Sequence, residues 1–208
     1  MSYYNEWLIR VVLLPSFIIS TIYITYSSYL LYKYKYEKNT LNNLNKIILN
    51  LIFNFMLSIL IGIISLNFLP THLPLPPLET NYYILRKLLI SYLIEIFYFY
   101  FTHRLLHIPF LFKHIHYVHH QAIQVNPIIT NYCHPLELLF VNIPSSILGP
   151  LFTSMSWQVS CFIWFPIFTI RTIRDHSGVE HHSKHHLRGK YNYSTLVVVD
   201  MLFGTYRS

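Results

Sequence analysis

His103-Arg-Leu-Leu-His107-Ile-Pro-Phe-Leu-Phe-Lys-His114-Ile-His116-Tyr-Val-His119-His120 is the stretch on which the reading of the chain turns. Six of the 13 histidines fall in these 18 positions. His103 and His107 are spaced i, i+4, and His116, His119 and His120 are spaced i, i+3, i+4. On a helix each set projects from one face, with successive turns about 5.4 Å apart. A second His-x-x-His-His triplet, His182, His185 and His186, repeats the spacing near the C-terminus. A lone His on an apolar helix is ordinarily a hydrogen-bonded core residue or a solvated one. Twelve histidines between residues 103 and 186, grouped at helical spacing, do not suit that role. Buried together without a metal they would be unpaired polar groups or mutually repelling charges, and both are costly. Clustered His at ligand spacing therefore points to metal. At least eight His are available and neither Cys133 nor Cys161 belongs to a Cys-x-x-Cys pair, which suits two ions. Imidazole serves Fe, Zn, Cu and Ni alike, so the spacing does not choose among them.

The background is that of a membrane protein. Hydrophobic residues make up 53% of the 208 and charged residues 11%, against about 25% charged in a soluble domain. The 18 Tyr and 15 Phe suit membrane interfaces and a lipid-binding interior. The +7 net charge suits anionic headgroups rather than nucleic acid, because the basic residues sit beside apolar runs. The two cysteines form no disulfide framework. Residues 7–32 and 47–69 are each long enough to span a bilayer of about 30 Å, and the first reads as a signal anchor rather than a cleaved leader. Residues 82–102 form a third expected span, carrying Arg86, Lys87 and Glu95 and running into His103. Residues 138–173 are apolar again and accommodate two short helices or a re-entrant hairpin, an even number of crossings that returns His176 to the side of His120. Lys33, Lys35, Lys38 and Lys46 place the 33–46 loop in the cytosol, and with it the His clusters. Arg86 and Lys87 count against that orientation. The Pro-rich stretch 70–80 is then lumenal, and its His72 stands apart from the clusters. The expectation is an all-α integral membrane bundle of about four to five membrane-embedded helices under a cytosolic His-rich helical cap. Residues 1–81 form an anchor with a Pro-rich loop, and residues 82–208 the functional unit.

In this order the motifs resemble the fatty acid hydroxylase/sterol desaturase superfamily of membrane di-iron enzymes, over roughly residues 92–207. The clusters are His103-Arg-Leu-Leu-His107, Lys113-His-Ile-His116-Tyr-Val-His119-His120 and His182-Ser-Lys-His185-His186. His134-Pro-Leu-Glu137, Asp175-His176-Ser-Gly178, Tyr191-Asn192-Tyr193 and Asp200-Met-Leu-Phe-Gly-Thr-Tyr-Arg207 connect them. The resemblance implies His103, His107, His116, His119, His120, His176, His182, His185 and His186 as ligands. His134, His114, His181, Glu180 and Asn192 are further candidates for ligation or for support around the ligands. His134 equally suits a helix start before Pro135, and Asn192 and Asp200 suit fastening of the C-terminal segment. Three departures stand out. Ile96, with Glu95 beside it, occupies the place of a family Asp; Ser183 occupies another; and only Val179, Glu180 and His181 separate Gly178 from His182.

The activity implied is O2-dependent attack on a lipid C–H bond at two iron ions, with zinc able to replace iron in an isolated protein. A sterol substrate is favoured, oxidised as by a C4-methyl oxidase or a C5-desaturase. A fatty-acyl or sphingolipid hydroxylase is the alternative, and the departures also suit a non-catalytic metal-binding lipid protein. No Gly-x-Gly-x-x-Gly occurs, so no bound nucleotide is expected in this chain, and the His-His doublets argue against haem, whose axial ligands would be single His on facing helices. By resemblance the electrons come from cytochrome b5 and an NAD(P)H-dependent reductase, in an endoplasmic-reticulum type of membrane.

Overall fold

A computed structural model describes residues 3–34, 44–69, 75, 77, 78, 80–121, 125–178 and 181–208, with Arg188 placed by its backbone only. Lys35, Lys38, His72, Val179 and Glu180, named above, lie outside the described residues. The protein is an all-α membrane protein, with no strand among the described residues. Helix α1 is Tyr3–Tyr34 and α2 is Leu44–Phe68. Helix α3 is Asn81–Leu106, and α4 runs over residues 109–120. A 3-10 turn, Pro127–Asn131, leads to α5, Pro135–Phe152. Helix α6 covers residues 157–175, α7 is His181–Arg188 and α8 is Val197–Leu202.

Among the described residues, α1, α2 and α5 are long and apolar enough to cross a membrane. That is fewer than the four to five membrane-embedded helices expected. The third expected span is a 26-residue helix, but Arg86, Lys87 and Glu95 interrupt its apolar character. It is two-faced: Leu85, Leu89, Leu93, Phe97, Phe101 and Leu105 are exposed at i, i+4 spacing, the stripe a bilayer would cover. Its other face buries Ser91, Glu95, Tyr100 and His103. Helices α5 and α6 form the hairpin expected over 138–173, but α6 ends in Arg171, Arg174 and Asp175, too polar for a span.

Two breaks aim α4. His107 closes α3 with φ −82° and ψ 0°, and Pro109 starts the next helix at a position that needs no N–H donor. Within α4 the turn Phe112–His116 is wound as a π-helix, a local widening that recurs at functional sites.

Helices α3 and α5 pack along each other and touch at Gly149. A Cβ there would lie 2.6 Å from both Ser91 Cα and Ser91 Cβ and 2.8 Å from Ser91 O. Gly149→Ala must therefore push the helices apart. Overpacking of this kind costs roughly 1–3 kcal/mol, and a melt of the detergent-purified protein should show a Tm several degrees lower. An unchanged Tm would contradict this packing.

Candidate metal centre

The nine His implied as ligands fall into two buried groups. His103, His107, His116, His120 and His185 form one; His119, His176, His182 and His186 form the other. Within each group one ligand nitrogen per residue lies within 4.8 Å of all the others. Helical geometry explains the division. Each His-x-x-His-His triplet sends its i, i+4 pair to one group and its middle His, about 100° round the helix from the last, to the other. On α4, His116 and His120 join the five-membered group and His119 the four-membered one. On α7, His182 and His186 join the four-membered group and His185 the five-membered one. The groups abut: the His120 and His186 rings stack with centroids 4.6 Å apart, and those of His103 and His182 are 5.1 Å apart. The Nε2 atoms of His176 and His119, on α6 and α4, are 3.2 Å apart, so the hairpin brings its far end back to α4.

The ring nitrogens are oriented for a cation. His119 Nδ1 lies 3.0 Å from Tyr132 O, and His176 Nδ1 lies 2.8 Å from Thr172 O. A carbonyl only accepts, so each Nδ1 carries the hydrogen and each Nε2 presents a bare lone pair. Two lone pairs then face each other at 3.2 Å with no proton to share. The five-membered group repeats the pattern. His103 Nδ1 donates to Tyr193 O and His185 Nδ1 to Tyr191 O, both at 2.7 Å. Their Nε2 atoms lie 3.0 Å from His116 Nε2 and 2.9 Å from His107 Nε2. His116 Nδ1 is 3.0 Å from Glu137 Oε2, a carboxylate–imidazole pair of the kind that orients metal-bound His. In His186 both ring nitrogens are buried without a hydrogen-bond partner. Protonation is a poor remedy. Burial lowers the pKa of His119 to about 4 and of His176 to about 3, and the His119 imidazole pushes His176 further down. A divalent cation in each group would give these opposed nitrogens a common partner, one per imidazole, so the donor set fits metal.

The further candidates sit elsewhere. His134 accepts from Leu136 N through Nδ1 at 3.1 Å, so it caps α5 and belongs to neither group. His114 is exposed and bonds Phe110 O of its own helix, away from the ligands. His181 Nε2 lies 3.0 Å from Asp200 Oδ2, outside both groups. Asn192, at φ 62°, donates to Arg207 O and accepts from Arg207 N, fastening the C-terminal strand of chain. Arg104 donates to Tyr100 Oη rather than to an acid. Of the departures, Ile96 packs with Tyr100 and Val199, while Glu95 pairs with Arg171 at 2.5 Å. Ser183 accepts from Gly178 N and donates to Asp175 O, tying α7 to the end of α6. Glu137 had no assigned role in the sequence reading, and the carbonyls of Tyr132, Thr172, Tyr191 and Tyr193 leave no sequence signal at all.

A cavity runs from His103, His119 and His176 down between α3, α5 and α6. Phe99, Val141 and Phe168 are among its apolar lining residues, and Glu95, Asn142 and Thr195 among its polar ones.

Comparison with known proteins follows the same outline. Residues 88–205 match the family model described as fatty acid hydroxylase. Over 136 residues the chain is 38% identical to fatty acid hydroxylase domain-containing protein 2 of Macaca fascicularis, covering 62% of this chain and 40% of that protein. Over 203 residues it is 30% identical to a very-long-chain aldehyde decarbonylase of Oryza sativa subsp. indica, covering 83% and 74%. Over 146 residues it is 32% identical to a Dictyostelium discoideum protein whose name assigns it provisionally to the methylsterol monooxygenases, covering 62% and 54%. The chain thus spans about half the length or less of two of these three relatives. No solved structure matches it.

Proposed function

The chain belongs to the fatty acid hydroxylase family, and we propose that it is a membrane-bound, O2-dependent oxidoreductase whose nine grouped His hold two iron ions and act on a lipid C–H bond. The observation that carries this reading is the opposition of bare Nε2 lone pairs at His119 and His176, with the equally close Nε2–Nε2 approaches of the five-membered group beside it. Iron supplies the O2 chemistry, since zinc has no redox states to offer. The chain's own groups do the rest. Tyr132 O, Thr172 O, Tyr191 O, Tyr193 O and Glu137 hold the imidazoles with Nε2 inward. Phe99, Val141 and Phe168 exclude water from the substrate's path.

The favoured substrate is a sterol, oxidised at a methyl or ring carbon. The polar lining residues Asn142 and Thr195 support a substrate carrying an oxygen function near the reacting carbon. A fatty-chain substrate is the second reading, favoured by the rice aldehyde decarbonylase, the relative of the three that covers most of this chain. Electrons would come from cytochrome b5 and an NAD(P)H-dependent reductase, and the His groups would face the cytosol of an endoplasmic-reticulum type of membrane. The test is lipid profiling of cells with and without the intact gene. The proposal expects a methylated or saturated sterol precursor to accumulate in the deletant. Accumulated long-chain aldehyde or non-hydroxylated acyl lipid would replace the sterol reading with the second. An unchanged lipid profile would argue against catalysis.

A further inference from the structure

We infer that two separate polar straps position the two His groups, so that the two ions can be removed one at a time: Asp200 secures the five-membered group, and Asn54 on α2 secures the four-membered group. This rests on the reading that the groups bind metal.

The first strap is the loop 191–194. The Asp200 carboxylate is fully buried and accepts from Tyr193 N at 2.8 Å, Ser194 N at 2.9 Å and Thr205 Oγ1 at 2.7 Å. His181 Nε2 lies 3.0 Å from Oδ2. Asn192 N adds a bond to Thr205 O at 2.8 Å. Held in this way, the loop aims Tyr191 O at His185 and Tyr193 O at His103, both members of the five-membered group. It makes no hydrogen bond to the other four His among the described residues.

The second strap is the segment 131–133. Asn54 is buried in a predominantly apolar helix. Its Nδ2 donates to Asn131 O at 3.0 Å and to Cys133 O at 3.1 Å. Asn50, one turn earlier, donates to Cys133 O and accepts from Cys133 N. Between these anchored residues, Tyr132 O receives His119 Nδ1, a member of the four-membered group. Polar side chains in a membrane helix need partners and mark function. Helix α2 lies outside the residues matched to the family, so the assignment extends the site into a segment that otherwise reads as an anchor.

Asp200→Asn keeps the size but not the chemistry. Tyr193 N donates to Oδ1 and Ser194 N to Oδ2, so in Asn one of them faces an NH2 group and the loop must shift. Asn54→Leu removes the bond to Asn131 O and one of the two to Cys133 O, leaving Asn50 alone to hold the segment. Losing support behind a ligand costs about 10–100-fold in metal affinity. The measurement is equilibrium dialysis of the full-length protein in detergent against Co2+, at about ten times the wild-type Kd, with helicity and elution volume as checks of folding. Wild type should bind close to two ions and each variant between about one and about one and a half, across that 10–100-fold range. Adding His185→Ala to Asp200→Asn should leave the remaining ion in place, whereas adding His119→Ala should remove it. Asn54→Leu should show the reverse pattern. If a folded Asp200→Asn protein binds two ions or none, or if the pairings are swapped, the inference is overturned. Should Asp200→Asn fail to fold, Thr205→Val, which removes one bond to the carboxylate, must weaken only the ion sensitive to His185→Ala. A wild-type protein that binds no Co2+ would instead overturn the metal reading itself.

Discussion

His119→Ala and His185→Ala should each lower lipid turnover by well over a hundredfold while the protein still inserts into membranes and elutes as wild type. His119 and His185 are the middle residues of the two triplets, one in each group. Each is fully placed by its Nδ1 bond, to Tyr132 O at 3.0 Å and to Tyr191 O at 2.7 Å. Loss of a supporting partner alone costs 10–100-fold at such sites, so loss of the ligand itself must cost more. Insertion depends on α1, α2 and α5, which neither residue touches as an anchor. Turnover and metal content of the purified variants check the expectation. Near wild-type turnover with full metal content in either variant would remove that residue from the centre.

Stripping the metal should make the fold sensitive to mild acid. In the unfolded chain a His titrates near 6.5, while burial lowers His119 to about 4 and His176 to about 3. Between those values the unfolded state binds protons that the folded state refuses, so stability rises with pH across the window and is lost as pH falls from about 6.5 toward 4. At pH 5 the loss from His119 alone is about 2 kcal/mol. His116, His182, His185 and His186 are lowered in the same direction, chiefly by burial. Several such terms are comparable with a domain's whole stability of roughly 5–15 kcal/mol. Chelator-treated protein should therefore melt many degrees lower at pH 5 than at pH 7. Metal-loaded protein should change far less, because a bound cation keeps the imidazoles neutral and lies outside the unfolded state's reach. Equal melting of stripped protein at both pH values would show that the imidazoles are not held neutral by burial.

The parts of this protein that were legible beforehand are those written in periodicity and length. The i, i+4 spacing of His116 and His120 and of His182 and His186 anticipated shared faces, and the apolar runs anticipated α1 and α2. The hairpin over 138–173 was legible because its turn residues interrupt an apolar run. The division of each triplet between two groups was not legible, because it depends on how α4 and α7 face each other. Helices α3 and α6 were harder to read, since each mixes a lipid-facing stripe with buried Glu95, Arg171 or Asp175. Spacing alone also could not separate His134 from the ligands. Its role follows from Leu136 N and Pro135, a local helix start that any N-terminal cap residue would serve. The backbone carbonyls that orient His103, His119, His176 and His185 carry no residue identity, so no reading of side chains finds them.

The most direct test of the central claim is anomalous X-ray scattering at the iron edge from crystals of the iron-loaded protein. Two peaks are predicted in each chain: one among His103, His107, His116, His120 and His185, the other among His119, His176, His182 and His186. A single peak, no peak, or iron bound away from these nine His would contradict a shared two-metal centre built from both halves of the chain.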